Sequence, residues 1–264
     1  MSRMTQSSSV ITPWRWAWAG ALVGLVLTTL LNAPARWLTD PLQQSLNGRV
    51  LLQEVRGTVW RGSAQLALTG GAGSSAAAAL PGRVGWTLRP TWQGLQAELQ
   101  TDCCTEQALR VTVLPRWGGA QLLLADGLSQ WPAQVLTGLG TPWNTVQAEG
   151  QLIVSTQGLS ALWAEGRVVL AGRLQLEASQ MASRLSTLKP MGSYRITVQG
   201  GATPVLQLET LAGSLQLSGR GQWVGGKLRF EGEARAAPDR LDALSNLLNI
   251  IGRRDGARAI IKVG

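Results

Sequence analysis

Beyond residue 36, hydrophobic and polar side chains alternate with a period of two. The clearest runs are Arg110-Val111-Thr112-Val113, Arg173-Leu174-Gln175-Leu176-Glu177, Arg195-Ile196-Thr197-Val198-Gln199, Ser214-Leu215-Gln216-Leu217-Ser218 and Lys227-Leu228-Arg229-Phe230-Glu231. Such alternation predicts strands with one face in a core and the other in water. Gly57, Gly62, Gly166, Gly172, Gly213, Gly219, Gly221 and Gly232 punctuate the chain, and they predict joints between short strands. No long helical pattern supplies the crossovers that parallel strands need, so the sheet is expected to be antiparallel. At about fifteen strands it exceeds what an open twisted sheet usually carries without curling or splitting, which predicts a long, curved sheet. Two halves meeting near residue 145 fit this pattern, with no repeat that can be aligned.

Two segments break the alternation with helical spacing. Residues 129–139, with Trp131, Val135, Leu136 and Leu139, predict a short helix ending at Gly140. The clearer one is 239–251, where Asp239 can cap, Leu241, Leu244, Leu248 and Ile251 line one face, and Gly252 closes the end. The Ala- and Gly-dominated stretch 70–79 has neither pattern and reads as a flexible insertion in a hairpin.

The amino end is different in kind. A polar lead carrying Arg3 and no acid precedes an apolar run, uncharged from Trp16 to Leu31, with Trp14, Trp16 and Trp18 beside Arg15 at its start. Aromatic and basic residues at one end of an apolar helix mark a membrane interface. This predicts a tail over residues 1–12 in the cytoplasm, one transmembrane helix over 13–32, and an exported β domain over 33–264. A cleaved signal peptide is the rival, since Ala33-Pro34-Ala35 offers small residues at the spacing of a peptidase site. Pro34 beside the cut and the Trp-rich start favour an uncleaved anchor. Both readings export the remainder.

Composition narrows the chemistry. The chain has no histidine, which removes His-dependent triads, HExxH zinc sites and histidine switches. Cys103 and Cys104 are its two cysteines; adjacent thiols cannot staple distant segments, and two free thiols on a loop are the simpler expectation beside a vicinal disulfide. No catalytic constellation, metal set or cofactor motif is recognisable, and no enzyme is predicted. With 24 Lys and Arg against 15 Asp and Glu, the net charge of +9 favours anionic neighbours. An export signal and the lack of a recognisable recognition motif argue against nucleic acid.

Few side chains stand out as interaction sites. Trp60, Trp86, Trp92 and Trp223, beside glycines, are expected to pack on bare backbone, and Trp60 is the first to test as a contact. Arg253, Arg254, Arg258 and Lys262 form a basic cluster that could grip lipid headgroups or an acidic partner. Tyr194, after Pro190 and Gly192, reads as a ring packed on the sheet.

An ordered series of short motifs follows the apolar run. Gly57-Thr58-Val59-Trp60-Arg61-Gly62-Ser63-Ala64 comes first, then Val84-Gly85-Trp86-Thr87-Leu88-Arg89-Pro90-Thr91-Trp92 and Leu188-Lys189-Pro190-Met191-Gly192-Ser193-Tyr194. Leu208-Glu209-Thr210-Leu211-Ala212-Gly213-Ser214-Leu215, Gly219-Arg220-Gly221-Gln222-Trp223 and Phe230-Glu231-Gly232-Glu233-Ala234 complete it. In this order the chain resembles the type II secretion system protein N family. The resemblance implies an accessory inner-membrane component of the machine that exports folded proteins, with other inner-membrane components as partners. It also implies a sheet similar to those of bridge-type lipid-transfer proteins, so the alternative is a periplasmic lipid carrier with a bound lipid in its groove.

Overall fold

The structure is a computed structural model and describes residues 14–71, 77–164, 166–224 and 227–264. Two helices, α1 (Trp14–Leu31) and α2 (Arg36–Ser45), precede the sheet. Its first half comprises β1 (Val50–Gly57), β2 (Arg61–Thr69), β3 (Ala77–Ala79), β4 (Val84–Thr91), β5 (Gly94–Thr101), β6 (Leu109–Arg116), β7 (Gly119–Leu124) and β8 (Gly127–Pro132). A 3-10 helix (Ala133–Leu139) and the single turn α3 (Trp143–Val146) follow. Then come β9 (Ala148–Ala164), β10 (Arg167–Ser183), β11 (Gly192–Gly201), β12 (Val205–Gly213), β13 (Leu215–Val224) and β14 (Lys227–Ala236). The chain ends with α4 (Leu241–Ile251), β15 (Arg253–Asp255) and β16 (Arg258–Val263).

All sixteen strands join one open antiparallel sheet in the order β1-β2-β4-β5-β6-β7-β9-β10-β11-β12-β13-β14-β16-β15. The order follows the chain closely, as hairpin-linked alternating runs require. The long strand β9 pairs along one side with β7 at residues 160–164 and with β8 at 151–156, so pairing runs unbroken across the region near residue 145. The period-two prediction of a mainly β, antiparallel fold is thus met.

Two covers bury parts of the apolar face. At one end Leu244, Leu247 and Leu248 of α4 pack with Tyr194, Leu215, Ala234 and Ala259 of the sheet. At the other, Ala35, just before α2, and Leu38 of α2 meet Ala64, Trp86, Leu88 and Leu99. Between them Leu95, Val111, Val113 and Leu124 stay half-buried without a helix over them. Registers Leu95↔Val113 and Val111↔Leu124 put these side chains on one face, continuous with the α2 cluster through Trp86↔Leu99.

Several local expectations need correction. Residues 129–139 are half strand and half 3-10 helix, because Ser129 and Trp131 turn inward from β8 against β9, and pairing overrides the helical spacing. The C-terminal helix begins at Leu241, and no side chain caps it. In the 70–79 segment, Ala77–Ala79 pairs with β2, while residues 72–76 lie outside the described residues. Many of the predicted glycine joints, including Gly62, Gly172, Gly219, Gly221 and Gly232, sit inside strands.

The membrane span predicted over 13–32 finds no support. Helix α1 has 18 residues, about 27 Å at 1.5 Å per residue, against a hydrocarbon thickness of about 30 Å. Three tryptophans occupy its first turn and a half. Among the described residues no helix is long and apolar enough to cross a membrane. The helix is nevertheless apolar all round, with Leu22, Val23, Leu25, Leu27, Leu30 and Leu31 exposed. The expected cytoplasmic tail lies outside the described residues.

Candidate functional site

The antiparallel meander sorts its loops to two rims. Registers Gly57↔Gly62, Thr91↔Gly94, Arg116↔Gly119, Ala164↔Arg167 and Val224↔Lys227 bring the tips of β1/β2, β4/β5, β6/β7, β9/β10 and β13/β14 to one rim. The far rim carries the β5/β6 loop, the 3-10 helix, α3 and α4.

Trp60, on the β1/β2 tip, works as a tether. Its indole Nε1 donates to the Leu30 carbonyl at 2.8 Å, satisfying one of the carbonyls a helix leaves open at its C-terminus. Ala35 N donates to Gly57 O at 3.1 Å and Val59 N to Ala33 O at 2.8 Å, so the α1–α2 junction is stitched to this rim.

Of the four C-terminal cations, the β15/β16 register puts Arg253, Arg258 and Lys262 on one face of the sheet and Arg254 on the other. Arg253 and Arg254 lie on the edge strand β15, Arg258 and Lys262 on β16. Arg258 pairs with Asp255 at 2.8 Å and Lys262 with Glu231 at 3.1 Å. Arg254 bonds Gly256 O and Asn249 Oδ1. Charged residues on a three-residue edge strand discourage pairing with another chain.

A larger feature was not singled out by the sequence. The polar faces of β10 to β14 line a trough of about 1170 Å³. Arg195 stands at its centre, bridging Glu177 at 3.4 Å and Glu209 at 3.1 Å from the flanking strands, while its buried Nε lacks a hydrogen-bond partner. Arg173 Nε donates to Gln199 Oε1 at 3.1 Å. Arg220 and Arg229 have no carboxylate within ion-pair distance among the described residues. Gln175, Gln207 and Gln222 add amides. This lining can hold an anionic or hydrogen-bonding segment; an acyl chain there would strip water from guanidinium groups without replacing it. The signal was the polar half of the same runs that predicted the strands.

Two other features are structural. Tyr194 is buried, its hydroxyl donates to Leu215 O at 3.1 Å, and burial pushes its pKa well above the ordinary tyrosine value. Cys103 and Cys104 are joined as a vicinal disulfide in the β5/β6 loop, in place of two free thiols. The Cys104 carbonyl accepts from Gln130 N at 2.9 Å, docking the loop onto β8. No group of three or more metal-ligating side chains exists among the described residues.

The glycine-packing expectation holds for Trp86, which lies against Gly62: a Cβ there would come within 2.3 Å of the indole. It fails for Trp92, which projects fully into solvent with a relative exposure of 106%. Trp117 does the same at the next hairpin tip.

No curated protein and no solved structure shows significant similarity to this chain. The family model for type II secretion system (T2SS) protein N matches residues 48–261, from just before β1 into β16. With the match spanning nearly the whole sheet, the chain belongs to the type II secretion system protein N family.

Proposed function

We propose that this chain is an accessory structural component of the type II secretion system, held at the inner membrane through α1 with its sheet in the periplasm. It acts by contact with other inner-membrane components of that system. The observation that carries the reading is the family match along the sheet. Attachment through α1 is supported by apolar side chains on every side of a helix that no described part of the sheet covers. The disulfide is in keeping with an oxidising compartment.

The contact surface is a face and not an edge. Helix α2 lies along β1, where Gln43 Oε1 accepts from Leu52 N at 3.2 Å, and the opposite edge is the short, charged β15. The trough over β10 to β14 offers unpaired Arg220 and Arg229, which suits an acidic or polar partner segment. Crosslinking in intact membranes tests this: a photoreactive residue at Gln207 is expected to capture another secretion component, and capture of none would reject it.

One observation favours a second reading, lipid handling. The strip Leu95, Val111, Val113 and Leu124 has no covering layer and could shield an acyl chain. Stoichiometric lipid in protein purified from native membranes would support it.

A further inference from the structure

The rim to which α1 is stitched also carries the most exposed large aromatic side chains of the sheet. Trp92 and Trp117, on the adjacent hairpins β4/β5 and β6/β7, are each 106% exposed, and Trp163 at the end of β9 is 63% exposed. Trp163 stands opposite Ala120 of β7 and opposite Val168 of β10, itself 62% exposed. At a strand spacing of about 4.8 Å the three indoles spread over roughly 20 Å. We infer that this rim docks on the bilayer surface beside α1, with Trp92, Trp117 and Trp163 seated at the headgroup level of an anionic leaflet.

The tips have the chemistry of that level. An indole combines a large apolar body with one N–H, and it gains most where hydrocarbon meets water; in water alone, full exposure leaves its apolar area unburied. Gly118, with φ +76°, turns the β6/β7 tip tightly and holds Trp117 out from the sheet, and Gly94 follows Trp92 closely. Arg89 and Arg116 lie at the two tips that carry Trp92 and Trp117; Arg89 is 3.9 Å from Glu98, and Arg116 donates to Gln121 Oε1 and has no carboxylate within ion-pair distance among the described residues. Cations on the strands that carry the indoles complement anionic headgroups.

Position supplies the second argument. The Trp60 indole and the Ala33–Val59 and Ala35–Gly57 bonds fix the C-terminal end of α1 to the β1/β2 tip of this same rim. A membrane that takes up the apolar surface of α1 therefore lies on the side to which the three tips point. The far rim, with Asp102 and Glu106 in its β5/β6 loop and Asp242 in the first turn of α4, faces away.

This inference rests on attachment through α1, and the test reads the two separately. Because Cys103 and Cys104 are bonded to each other, an introduced cysteine is the one free thiol. Trp117→Cys, Trp163→Cys and, on the far rim, Glu106→Cys are made in the full chain and labelled with an environment-sensitive fluorophore. Each is reconstituted into phosphatidylethanolamine–phosphatidylglycerol vesicles. Circular dichroism confirms the fold, and flotation reads retention by α1. The expected result is a blue shift and quenching by brominated acyl chains at positions 117 and 163, neither at 106, with both effects weakened when phosphatidylcholine replaces phosphatidylglycerol. Floating protein whose rim labels stay as wet as position 106 overturns the docking and leaves the attachment standing. Failure to float overturns both. Rim labels that become shielded only on adding a secretion component would reassign the surface to a protein.

Discussion

At the residue scale, glycine and aromatic side chains fit together as slot and ring. The lone phenylalanine, Phe230, lies over three glycines: a Cβ would come within 2.3 Å of its ring from Gly219, 2.9 Å from Gly232 and 3.1 Å from Gly221. Gly62 makes the same slot for Trp86. Gly62→Ala should therefore lower stability by about 1–3 kcal/mol through overpacking, read as a drop in the thermal midpoint. Tyr194 gives a pH prediction. Burial raises its pKa in the folded state, so the native protein binds the phenolic proton more tightly than the unfolded chain, where tyrosine titrates near pH 10. Its contribution is complete below about pH 10 and is lost as pH rises further. With one tyrosine in the chain, tyrosinate absorbance should appear together with loss of strand signal and not before it. Tyr194→Phe removes the bond to Leu215 O, at a cost of about 1 kcal/mol, and should make unfolding less steep with alkaline pH. The sequence placed these glycines beside the right residues, yet it made them joints. Which ring fills which slot depends on the cross-strand register, and one-dimensional spacing does not carry that.

At the element scale, alternation was an accurate guide wherever a strand has one dry and one wet face, as β10, β11, β13 and β14 do. It was misleading at residues 129–139, where a strand and a 3-10 helix share a stretch whose apolar spacing imitates an α-helix. In α4 the spacing found Leu244 and Leu248 but not Leu247, which is buried alongside them because the helix packs over the small, paired side chains of Ala234 and Ala259. Leu247→Ala is expected to cost about 2–5 kcal/mol, and calorimetry should show one transition moved down, since this cluster joins α4 to strands β11 through β16. Trp60→Phe is a contrasting change. It keeps an aromatic ring, smaller than the indole, and loses the N–H that bonds Leu30 O. Hydrogen exchange should quicken around residues 31–35 while the thermal midpoint of the sheet barely moves. A large drop in that midpoint would instead make Trp60 a core residue.

At the scale of the whole molecule, the sheet presents two faces of opposite character: α2 and α4 pack on the apolar one, and the trough lies on the polar one. The family was legible from ordered motifs scattered along the chain. The trough was not, because its residues come from five strands and are ordinary polar positions in each. Its charge distribution yields the last prediction. Arg195 is already neutralised by Glu177 and Glu209, and Lys262 by Glu231; of the three trough arginines that form no ion pair among the described residues, Arg173 is held by Gln199 and the other two are Arg220 and Arg229. An acidic segment of a partner would gain most from those two. The edge cations Arg253 and Arg254 should contribute less, since they lie on β15, on the far side of β16 from the trough-lining strands. Glutamine replacements keep a hydrogen-bonding side chain and avoid placing a new negative charge at position 220, opposite Glu231 in the β13/β14 register. Arg220→Gln with Arg229→Gln should weaken co-purification of secretion components and flatten its salt dependence, while Arg253→Gln with Arg254→Gln leaves both nearly unchanged. Equal loss from the two pairs, with circular dichroism unaltered, would move the contact from the trough to the β15 edge.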